Sequence, residues 1–327
     1  MRVIVVGGAG YIGSHTCKAL AEAGHEPIVF DNLVYGHADA VRWGPLEVGD
    51  IADGDRLDEV FARHRPDAVL HFAAFAYVAE SMHSPEKYYN NNVVGSLSLL
   101  DAMRRAAVAN VVFSSSCATY GVPARLPIDE ATPQVPINPY GFTKLVVERA
   151  LADYGRAHRL NWVALRYFNA AGCDPDGELG ERHDPETHAI PCAIAAAFGH
   201  GPRFRVFGTD YPTPDGSAQR DYVHVSDLAD AHVRAVEHLV GGGASGAFNL
   251  ATGTPTSVLE IVAAVERATG RPLPVDFDER RPGDPPVLYA SASKAREVLG
   301  WRPRHETIAG IVDTAVRWYM ENRCPVV

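Results

Sequence analysis

The sequence has few cysteines and no long apolar run. The five cysteines are odd in number and widely spaced, with no C-x-x-C pair, so neither a disulfide framework nor a zinc site is indicated. A reducing cytoplasm is therefore the expected location. The fourteen histidines are scattered without metal-ligand spacing, and no metal is predicted. No apolar stretch approaches membrane-spanning length, and glycines interrupt the apolar opening at 1–6, which is typical of a buried strand rather than a signal peptide.

Positive charge is also scarce, since 30 basic residues face 40 acidic ones and the net charge is −10. An acidic surface argues against nucleic-acid binding. An anionic ligand would need local help from a helix N-terminus or from a few placed arginines. The 327 residues are 46% hydrophobic, enough for one large domain or for two lobes that share a cleft.

The first half of the chain alternates strand-like and helix-like runs. The runs at 3–6, 27–30, 46–48, 68–72, 111–113 and 162–167 predict strands, and those at 12–23, 55–64, 85–107 and 139–158 predict helices. The strands are apolar on both faces, as in a parallel sheet covered by helices. The alternation predicts an α/β fold with a doubly wound parallel (Rossmann) sheet.

After about residue 169, glycine and proline become more frequent. Helices are predicted at 189–198, 226–239, 257–269 and 308–322, with short strands near 204–207 and 247–250. We interpret residues 1–169 as the sheet domain. Residues 170–327 then form a smaller C-terminal α/β lobe, interleaved with parts of that domain.

A glycine-rich turn follows the first predicted strand. Gly7, Gly10 and Gly13 form a G-x-x-G-x-x-G pattern, which allows a tight turn, close approach to a pyrophosphate and a helix N-terminus aimed at that anion. Asp31, 18 residues after Gly13, ends the second strand, where a carboxylate accepts hydrogen bonds from the adenine ribose and repels a 2′-phosphate. NAD is therefore predicted over NADP. Asp50, after the third strand, either meets the adenine or is an ordinary turn residue.

A tyrosine and a lysine begin the helix predicted at 139–158. Tyr140 and Lys144 share one helical face, and a nearby ammonium together with a positive nicotinamide ring would favour the phenolate. The phenolate could then take a proton from a sugar hydroxyl. Ser116 follows the strand at 111–113, at the edge where ligands bind in open α/β sheets, and could hydrogen-bond the reacting oxygen. The pattern predicts an enzyme that performs NAD-dependent hydride chemistry at a hydroxyl-bearing carbon.

These motifs resemble those of sugar-nucleotide epimerases in the extended short-chain dehydrogenase/reductase family. The resemblance runs nearly end to end, and the stretch at 211–225 is its most specific part. It is carried by residues 7–13, 31–33, 71–74, 88–92, 114–116, 140–144, 166–169, 211–225 and 281–284.

The resemblance implies NAD-dependent, reversible epimerisation at C4 of a UDP-hexose, UDP-glucose or UDP-galactose, through a transient 4-keto sugar. It implies that Tyr140 is the acid/base, Lys144 its modulator and ribose ligand, and Ser116 the partner of the substrate oxygen. Residues 1–169 would bind NAD and residues 170–327 the UDP-sugar. A homodimer is also implied, and the two long helices predicted in the first half could pack across it.

The resemblance further implies two sets of contacts. Cofactor contacts are implied for Gly7, Gly10, Tyr11, Ile12, Gly13, Asp31, Asn32, Leu33, Gly36, Asp50, Ile51, Phe72, Ala73, Ala74, Asn91, Ser114, Tyr140, Lys144 and Phe168. Substrate contacts are implied for Ser116, Tyr140, Asn169, His188, Phe207, Arg220, Arg281, Asp284 and Leu288. Physical chemistry agrees for the two arginines, because a diphosphate needs cationic donors in an otherwise acidic protein.

Three positions depart from the pattern of some family members. Ala76 stands where some carry a lysine that helps bind NAD, His188 where some carry an asparagine, and Leu288 where a side chain helps set substrate size. Two alternatives therefore stay open: a 4-epimerase of another UDP-sugar (an N-acetylhexosamine, pentose or uronic acid) and a sugar-nucleotide 4,6-dehydratase. The dehydratase needs an extra acid, and residues 116–119 offer no carboxylate. A non-catalytic NAD sensor would not need Tyr140 and Lys144.

Overall fold

The computed structural model describes residues 1–281 and 284–322. Pro282 and Gly283 of the motif expected at 281–284, and Cys324, lie outside the described residues. The strands are β1 (Arg2–Val6), β2 (Glu26–Asp31), β3 (Leu46–Val48), β4 (Ala68–His71), β5 (Asn110–Ser114), β6 (Asn161–Arg166), β7 (Asn169–Ala171), β8 (Phe204–Phe207), β9 (Gln219–Arg220), β10 (Tyr222–His224), β11 (Gly246–Asn249), β12 (Thr256–Ser257), β13 (Val275–Asp278) and β14 (Val287–Leu288). The α-helices are α1 (Tyr11–Glu22), α2 (Gly54–His64), α3 (Val78–His83), α4 (Pro85–Tyr88), α5 (Ser96–Arg105), α6 (Pro139–His158), α7 (Ala189–Ala197), α8 (Val225–Val240), α9 (Val258–Thr269), α10 (Ser293–Val298) and α11 (Ile308–Asn322).

Seven parallel strands form the central sheet, in the order β11-β6-β5-β4-β1-β2-β3. This order confirms the predicted α/β fold with a doubly wound parallel sheet. The chain runs from β1 outward through β2 and β3, and then returns to β4 on the other side of β1. Ligands of such sheets bind at this reversal, beyond the carboxyl ends of the strands.

Both faces of the sheet are buried, because strand side chains alternate between two apolar cores. In β1, Val3 and Val5 pack with helices α1 and α8, whereas Ile4 and Val6 pack with α2, α5 and α6. All four side chains are almost completely buried. Each contributes about 1.5–3 kcal/mol through burial, so a polar residue on either face of β1 would be costly.

The second half of the chain completes the sheet and adds a lobe of its own. Strand β11 pairs in parallel with β6, with Phe248 opposite Leu165, and α8 covers one face of the sheet. The strand expected near 247–250 thus joins the central sheet beside the strand expected at 162–167. A third core, formed by side chains from α7, α9 and α11, lies within the lobe. The domain boundary at residue 169 stays a prediction.

The long helix expected at 85–107 is instead three consecutive segments: α4, a π-helical stretch at Tyr89–Gly95, and α5. The side chain of Asn92, within the π-helical stretch, contacts the segment after β4. Its Oδ1 accepts a hydrogen bond from the Phe75 backbone N–H at 2.8 Å, and its Nδ2 donates to the Phe75 carbonyl at 2.9 Å. The widened turn thus holds the segment after β4, and π-bulges are frequent at functional sites.

None of the helices within residues 1–281 and 284–322 combines the length and the apolar character needed to cross a membrane.

Candidate active site

The phosphate loop lies between β1 and α1, where backbone crowding requires glycine. Gly7 has a φ of +82°, and a Cβ there would lie 2.5 Å from the Ala73 nitrogen. A Cβ on Gly13 would lie 2.2 Å from the Gly7 carbonyl oxygen. Gly10 precedes α1, and no side chain within the described part of the chain caps this end of the helix. The backbone N–H groups of Tyr11 and Ile12 are thus available to an anion.

Asp31 ends β2 beside this loop. Its carboxylate accepts hydrogen bonds from the backbone N–H of Ala9 at 3.0 Å and of Leu33 at 2.8 Å. Burial raises the pKa of Asp31, and the two N–H groups oppose that rise. Gly36 approaches closely, since a Cβ there would lie 2.8 Å from Asp31 Oδ1. Each oxygen of this carboxylate keeps one lone pair free, and the two together can accept hydrogen bonds from the two hydroxyl groups of a ribose.

Asn32, Asp50 and Ile51 form the next part of this edge. Asn32 Nδ2 donates to Asp50 Oδ2 at 3.0 Å, and the Ala52 N–H donates to Asp50 Oδ1 at 2.9 Å. Ile51 is buried. Asp50 thus has the hydrogen bonds of a turn residue and also lies near Asp31. Both interpretations of Asp50, as an adenine contact and as an ordinary turn residue, are therefore compatible with its position.

The segment after β4 forms the opposite wall. The N–H groups of Phe72 and Ala73 both donate to the Val6 carbonyl, at 2.7 and 3.0 Å, which ties this segment to the phosphate loop. Asn91 Nδ2 donates to Asn92 Oδ1 at 2.9 Å. The remaining predicted cofactor residues of this wall are partly buried: Ala74 and Phe168. Ala76 is exposed.

These residues fit a dinucleotide. A Cβ at Gly7 or Gly13 would fill the space of the loop between β1 and α1. The first turn of α1 presents uncapped N–H groups, and Asp31 lies at the end of β2. The three features lie on one sheet edge at the reversal of strand order, as dinucleotide binding requires.

The tyrosine and the serine of the predicted catalytic group lie on neighbouring segments. Ser116 caps the 3₁₀ turn Cys117–Tyr120, its Oγ accepting from the Ala118 N–H at 3.1 Å. Tyr140 is the second residue of α6, which Asn138 caps by accepting from the Gly141 N–H at 2.8 Å. A Cβ on Gly141 would lie 2.5 Å from the Ala118 carbonyl oxygen. Only glycine therefore lets α6 begin beside the serine.

Burial raises the pKa of Tyr140, and side-chain hydrogen bonding with Ser116 opposes that rise. The phenol is therefore protonated in the protein alone. Deprotonation needs positive charge nearby, in line with the sequence argument.

Lys144 supplies part of that charge from one turn further along α6. Its Nζ donates to the Ser114 carbonyl at 2.7 Å and lies 5.9 Å from the centre of the Tyr140 ring. Burial lowers the pKa of Lys144 to about 7, and the charge of Glu148 opposes that fall. Ser114 Oγ is itself hydrogen-bonded to the Tyr167 hydroxyl at 2.5 Å, so the end of β5 is held on both sides.

A buried ion pair supports this group, and sequence reasoning missed it. Arg166 donates to both carboxylate oxygens of Glu148, at 2.9 and 2.5 Å, and Ser115 Oγ donates to the same carboxylate at 2.5 Å. Residues 140, 144 and 148 repeat every four positions on one face of α6. That spacing was the available signal, because an acid that follows a lysine by one turn shares its surroundings.

The predicted substrate residues of the second half form a separate group around a three-stranded sheet. Arg220 on β9 pairs with Asp284 and lies opposite Leu288 on β14. The guanidinium carbon of Arg281 lies 3.8 Å from the centre of the Phe207 ring. Asn169 Nδ2 donates to the Asp221 carbonyl, next to Arg220, at 3.1 Å. The structure thus brings these six residues into two adjoining clusters.

His188 has different partners. Its Nδ1 lies 2.6 Å from Glu181 and 3.3 Å from Glu186. Burial lowers the pKa of His188, but these carboxylates outweigh it and raise the pKa to about 10. His183 contacts the same two glutamates, and its pKa rises to about 9. Sequence analysis did not predict this cluster.

Comparisons with known proteins agree with this geometry. Residues 3–251 match the model of the NAD dependent epimerase/dehydratase family. A UDP-glucose 4-epimerase of Rhizobium leguminosarum bv. trifolii is 56% identical over 320 residues, 98% of each chain. The crystal structure of UDP-glucose 4-epimerase from Brucella ovis in complex with NAD is 57% identical and has a TM-score of 0.95 over 97% of each chain. That from Bifidobacterium longum in complex with NAD+ and UDP is 38% identical, with a TM-score of 0.93 over 98% of this chain and 99% of that chain.

Proposed function

The chain belongs to the NAD dependent epimerase/dehydratase family, and we propose from this that it interconverts UDP-glucose and UDP-galactose by inverting C4 of the hexose. The main support is the grouping of Tyr140, Lys144 and Ser116 at the carboxyl end of β5, the sheet edge on which the phosphate loop also lies. The similarity to UDP-glucose 4-epimerases over nearly the whole chain is the second support.

The cofactor would be held mainly by backbone. The N–H groups of Tyr11 and Ile12 would bind the pyrophosphate, Asp31 would accept hydrogen bonds from the adenine ribose, and Lys144 would bind the nicotinamide ribose. NAD, when bound, supplies the acceptor and donor of the C4 hydride. The reaction has no net redox change, so the same cofactor molecule serves successive turnovers.

The protein's own part in the chemistry is proton transfer. The Tyr140 Oη takes the proton of the sugar 4-hydroxyl and later returns it, while Ser116 Oγ hydrogen-bonds the same oxygen. Because burial raises the pKa of Tyr140, this proton moves only while positive charge lies beside the phenol. Lys144, fixed to the Ser114 carbonyl, contributes to that charge.

The nucleotide must stay bound while the sugar turns over. Arg220 and Arg281 can hold a diphosphate through bidentate contacts, with Phe207 and Asn169 beside them. The sugar needs weak contacts, since its ring has to present both faces to the same hydride position. Strong binding therefore belongs to the UDP moiety, and Leu288 next to Arg220 limits the size of the sugar.

The test is to incubate purified protein with UDP-galactose and no added NAD, and to follow UDP-glucose by chromatography and NADH by its absorbance. Conversion without accumulating free NADH is expected. Failure to convert UDP-galactose, in protein shown to contain NAD, would reject UDP-hexose as the substrate. Parallel assays with UDP-N-acetylglucosamine, a UDP-pentose and a UDP-uronic acid would then identify the sugar.

We further propose that the protein is a homodimer formed by the helical segments from Pro85 to Arg105 and by α6. Tyr89, Val94 and Leu97 on the first and Phe142 on the second are large apolar side chains that are 36–54% exposed. The rings of Tyr89 and Phe142 lie 6.3 Å apart, so the patch spans both helices. Sedimentation equilibrium should give twice the chain mass, and Val94→Glu with Leu97→Glu should give the monomer. A wild-type monomer at micromolar concentration would refute the proposal.

We also infer a cytoplasmic location. Cys17, Cys117 and Cys173 are free and buried, and burial raises the pKa of each thiol, which makes them unreactive. Buried thiols of this kind are compatible with a reducing compartment. Fractionation of the source cells, with the protein followed by antibody, tests this.

A further inference from the structure

The segment between β7 and α7 gathers two glutamates and two histidines that the catalytic proposal does not use as a set. One potential ligand atom from each of Glu181, His183, Glu186 and His188 lies within 4.8 Å of all the others. Glu181 is buried, and the other three are partly buried. We call this group the His–Glu cluster.

We propose that the His–Glu cluster is a binding site for one divalent transition-metal ion of the zinc class, with all four side chains as ligands. Imidazole nitrogen and carboxylate oxygen are both zinc ligands, and four protein ligands are typical of a structural rather than a catalytic zinc site. The proposal goes beyond the epimerase function and does not depend on it.

The spacing of the ligand atoms suits tetrahedral coordination. Bonds of about 2.0–2.2 Å at tetrahedral angles separate neighbouring ligand atoms by roughly 3.3–3.6 Å. The cluster has His183 Nδ1 at 3.1 Å from Glu181 Oε1 and 3.7 Å from Glu186 Oε2, and His188 Nδ1 at 2.6 Å from Glu181 Oε1 and 3.3 Å from Glu186 Oε1. These four separations lie on both sides of the tetrahedral value, so side-chain rotations that bring one oxygen of Glu186 to both histidines would complete the site.

Neighbouring groups hold the ligands in place, as metal sites require of the residues around them. Glu186 Oε1 accepts hydrogen bonds from the backbone N–H groups of Thr187 at 2.8 Å and His188 at 2.9 Å. The His183 ring packs edge-on against Tyr11 at 6.0 Å and Tyr77 at 6.2 Å. Tyr77 in turn donates to the Pro185 carbonyl at 3.1 Å.

The charge of the cluster also matches a divalent cation. Two carboxylates carry a charge of about −2, and two neutral imidazoles add none, so a +2 ion gives a neutral site. Without a metal, the histidine nitrogens carry protons and donate hydrogen bonds to the carboxylates. Metal binding would release these protons, and apparent affinity should therefore fall as the pH falls.

The other carboxylate cluster near this segment differs in one respect. Asp174, Asp176 and Glu178 also lie within 4.8 Å of one another, but the ammonium of Lys18 sits among them at 2.6–2.9 Å. A lysine supplies the cation there. In the His–Glu cluster the partners of the two glutamates are histidine rings, whose protons a metal ion can replace.

A metal at this position would fasten one segment to two parts of the active site. His183 packs on Tyr11, whose backbone begins the helix that faces the pyrophosphate. His188 is the residue predicted to meet the substrate, and it precedes α7. The ion would therefore fix the conformation of this one segment, which contacts the cofactor loop through the His183 and Tyr11 rings.

The experiment uses untagged, full-length protein that has been treated with a chelator and dialysed. Zinc is titrated in competition with a chromophoric chelator, and cobalt(II) is titrated separately as a spectroscopic probe. We expect one equivalent per chain and the intense visible absorption of four-coordinate cobalt. His183→Gln and Glu186→Gln should each weaken zinc binding at least about tenfold.

The matched control is His25→Gln, which removes a histidine paired with a single glutamate, Glu237, at 3.1 Å; its zinc affinity should equal that of the wild type. Less than stoichiometric binding, a six-coordinate cobalt spectrum, or unchanged affinity in His183→Gln would overturn the proposal and leave an ion-pair network only. The cobalt spectrum of the wild type decides the coordination even if a variant folds poorly. These readouts are independent of turnover, so a failure here is distinct from a failure of the epimerase assay.

Discussion

The proposed cofactor side of the site is formed by backbone at the ends of buried strands, whereas the proposed substrate side is formed by charged side chains on or beside short strands. On the cofactor side, Gly7 and Gly13 leave no room for a Cβ. On the substrate side, Arg220 pairs with Asp284 and Arg281 lies over Phe207. The crowded glycine backbone has little freedom to move, whereas the two arginines can replace their present contacts with contacts to a ligand.

This difference matches what each ligand has to do. A cofactor that ends each turnover in its starting state can remain bound, so rigid backbone contacts cost nothing in turnover. A substrate must enter and leave, and the Arg220–Asp284 ion pair can give way to a diphosphate when the substrate arrives. The catalytic group lies between the two sides and can be tested separately from both.

The largest effect is expected from Tyr140→Phe, which removes the proton carrier and leaves both binding sides intact. Turnover should fall about 10²–10⁴-fold, the usual contribution of general acid–base catalysis, while the NAD content stays unchanged. Tyr154→Phe is the control on the same helix, since its hydroxyl bonds Asp101. Near-normal turnover of the Tyr140 variant with its NAD in place would refute the mechanism.

The rigidity of the cofactor side is tested by Gly7→Ala against Gly24→Ala. Both glycines have a positive φ, +82° and +77°, but a Cβ on Gly24 would meet no atom of the described residues within 4 Å. Gly24→Ala should cost about 1–2 kcal/mol of stability for its left-handed backbone and keep its NAD. Gly7→Ala should cost more and lose the cofactor, as denaturant unfolding and NAD content would reveal. Equal NAD content in the two variants would contradict the predicted cradle.

A substitution on the substrate side should change substrate binding rather than the chemical step. Arg281→Lys removes a bidentate donor, so KM should rise about 10–100-fold with kcat little changed, the usual value of a charged hydrogen bond being about 1.5–3 kcal/mol. Arg280→Lys is the neighbouring control, because Arg280 pairs with Asp210 at the surface. A large fall in kcat instead would place Arg281 in the chemical step and break the distinction between the two sides.

The smallest effect concerns the pH dependence of stability. Burial lowers the pKa of Lys144 to about 7, whereas an unfolded lysine has a pKa near about 10.4. Between these values the unfolded lysine binds more protons than the folded one, so Lys144 alone contributes to the free energy of unfolding a term that rises with pH, by at most about 1.4 kcal/mol per pH unit. His183 and His188, whose pKa values are raised to about 9 and 10, contribute in the opposite direction in both proteins. The test is therefore the difference: in denaturant unfolding at pH 7, 8 and 9, the slope of stability against pH should be lower in Lys144→Met than in the wild type.

Lys18 is the matched comparison for that measurement, because burial lowers its pKa but three carboxylates outweigh burial and raise it. Lys18 stays protonated in both states across this range, so Lys18→Met should keep the wild-type slope. If the free energy of unfolding changed with pH equally in Lys144→Met and in the wild type, Lys144 would not contribute the expected pH-dependent term.

Local motifs were enough to predict which residues gather at this edge of the sheet, and the roles of these residues in cofactor binding and catalysis stay predictions. Gly7, Asp31 and Ser116 each follow a strand of a parallel sheet, and such positions meet at one edge by topology. Tyr140 and Lys144 share a helical face because they are four residues apart. Arg166 was missed as the partner of Glu148, because a pair between a strand and a helix has no fixed spacing.

The His–Glu cluster was missed for a related reason. Glu181, His183, Glu186 and His188 lie in an irregular segment, where the 3.6-residue or two-residue periods do not say which side chains converge. The π-helical stretch at Tyr89–Gly95 was likewise read as regular helix. Asn92 in this stretch contacts Phe75, and a contact with so distant a residue cannot be read from the pattern of the helix itself.

The sequence by itself determined the parallel sheet and identified the glycine-rich loop and the residues proposed for catalysis, because these depend on periodicity and on short, fixed spacings. Only the tertiary structure decided that Lys144 is buried enough to lower its pKa, that Arg220 pairs with Asp284, and that β11 completes the sheet beside β6. The physical reason is that desolvation and ion pairing depend on which distant segments pack together. That packing is a property of the whole chain.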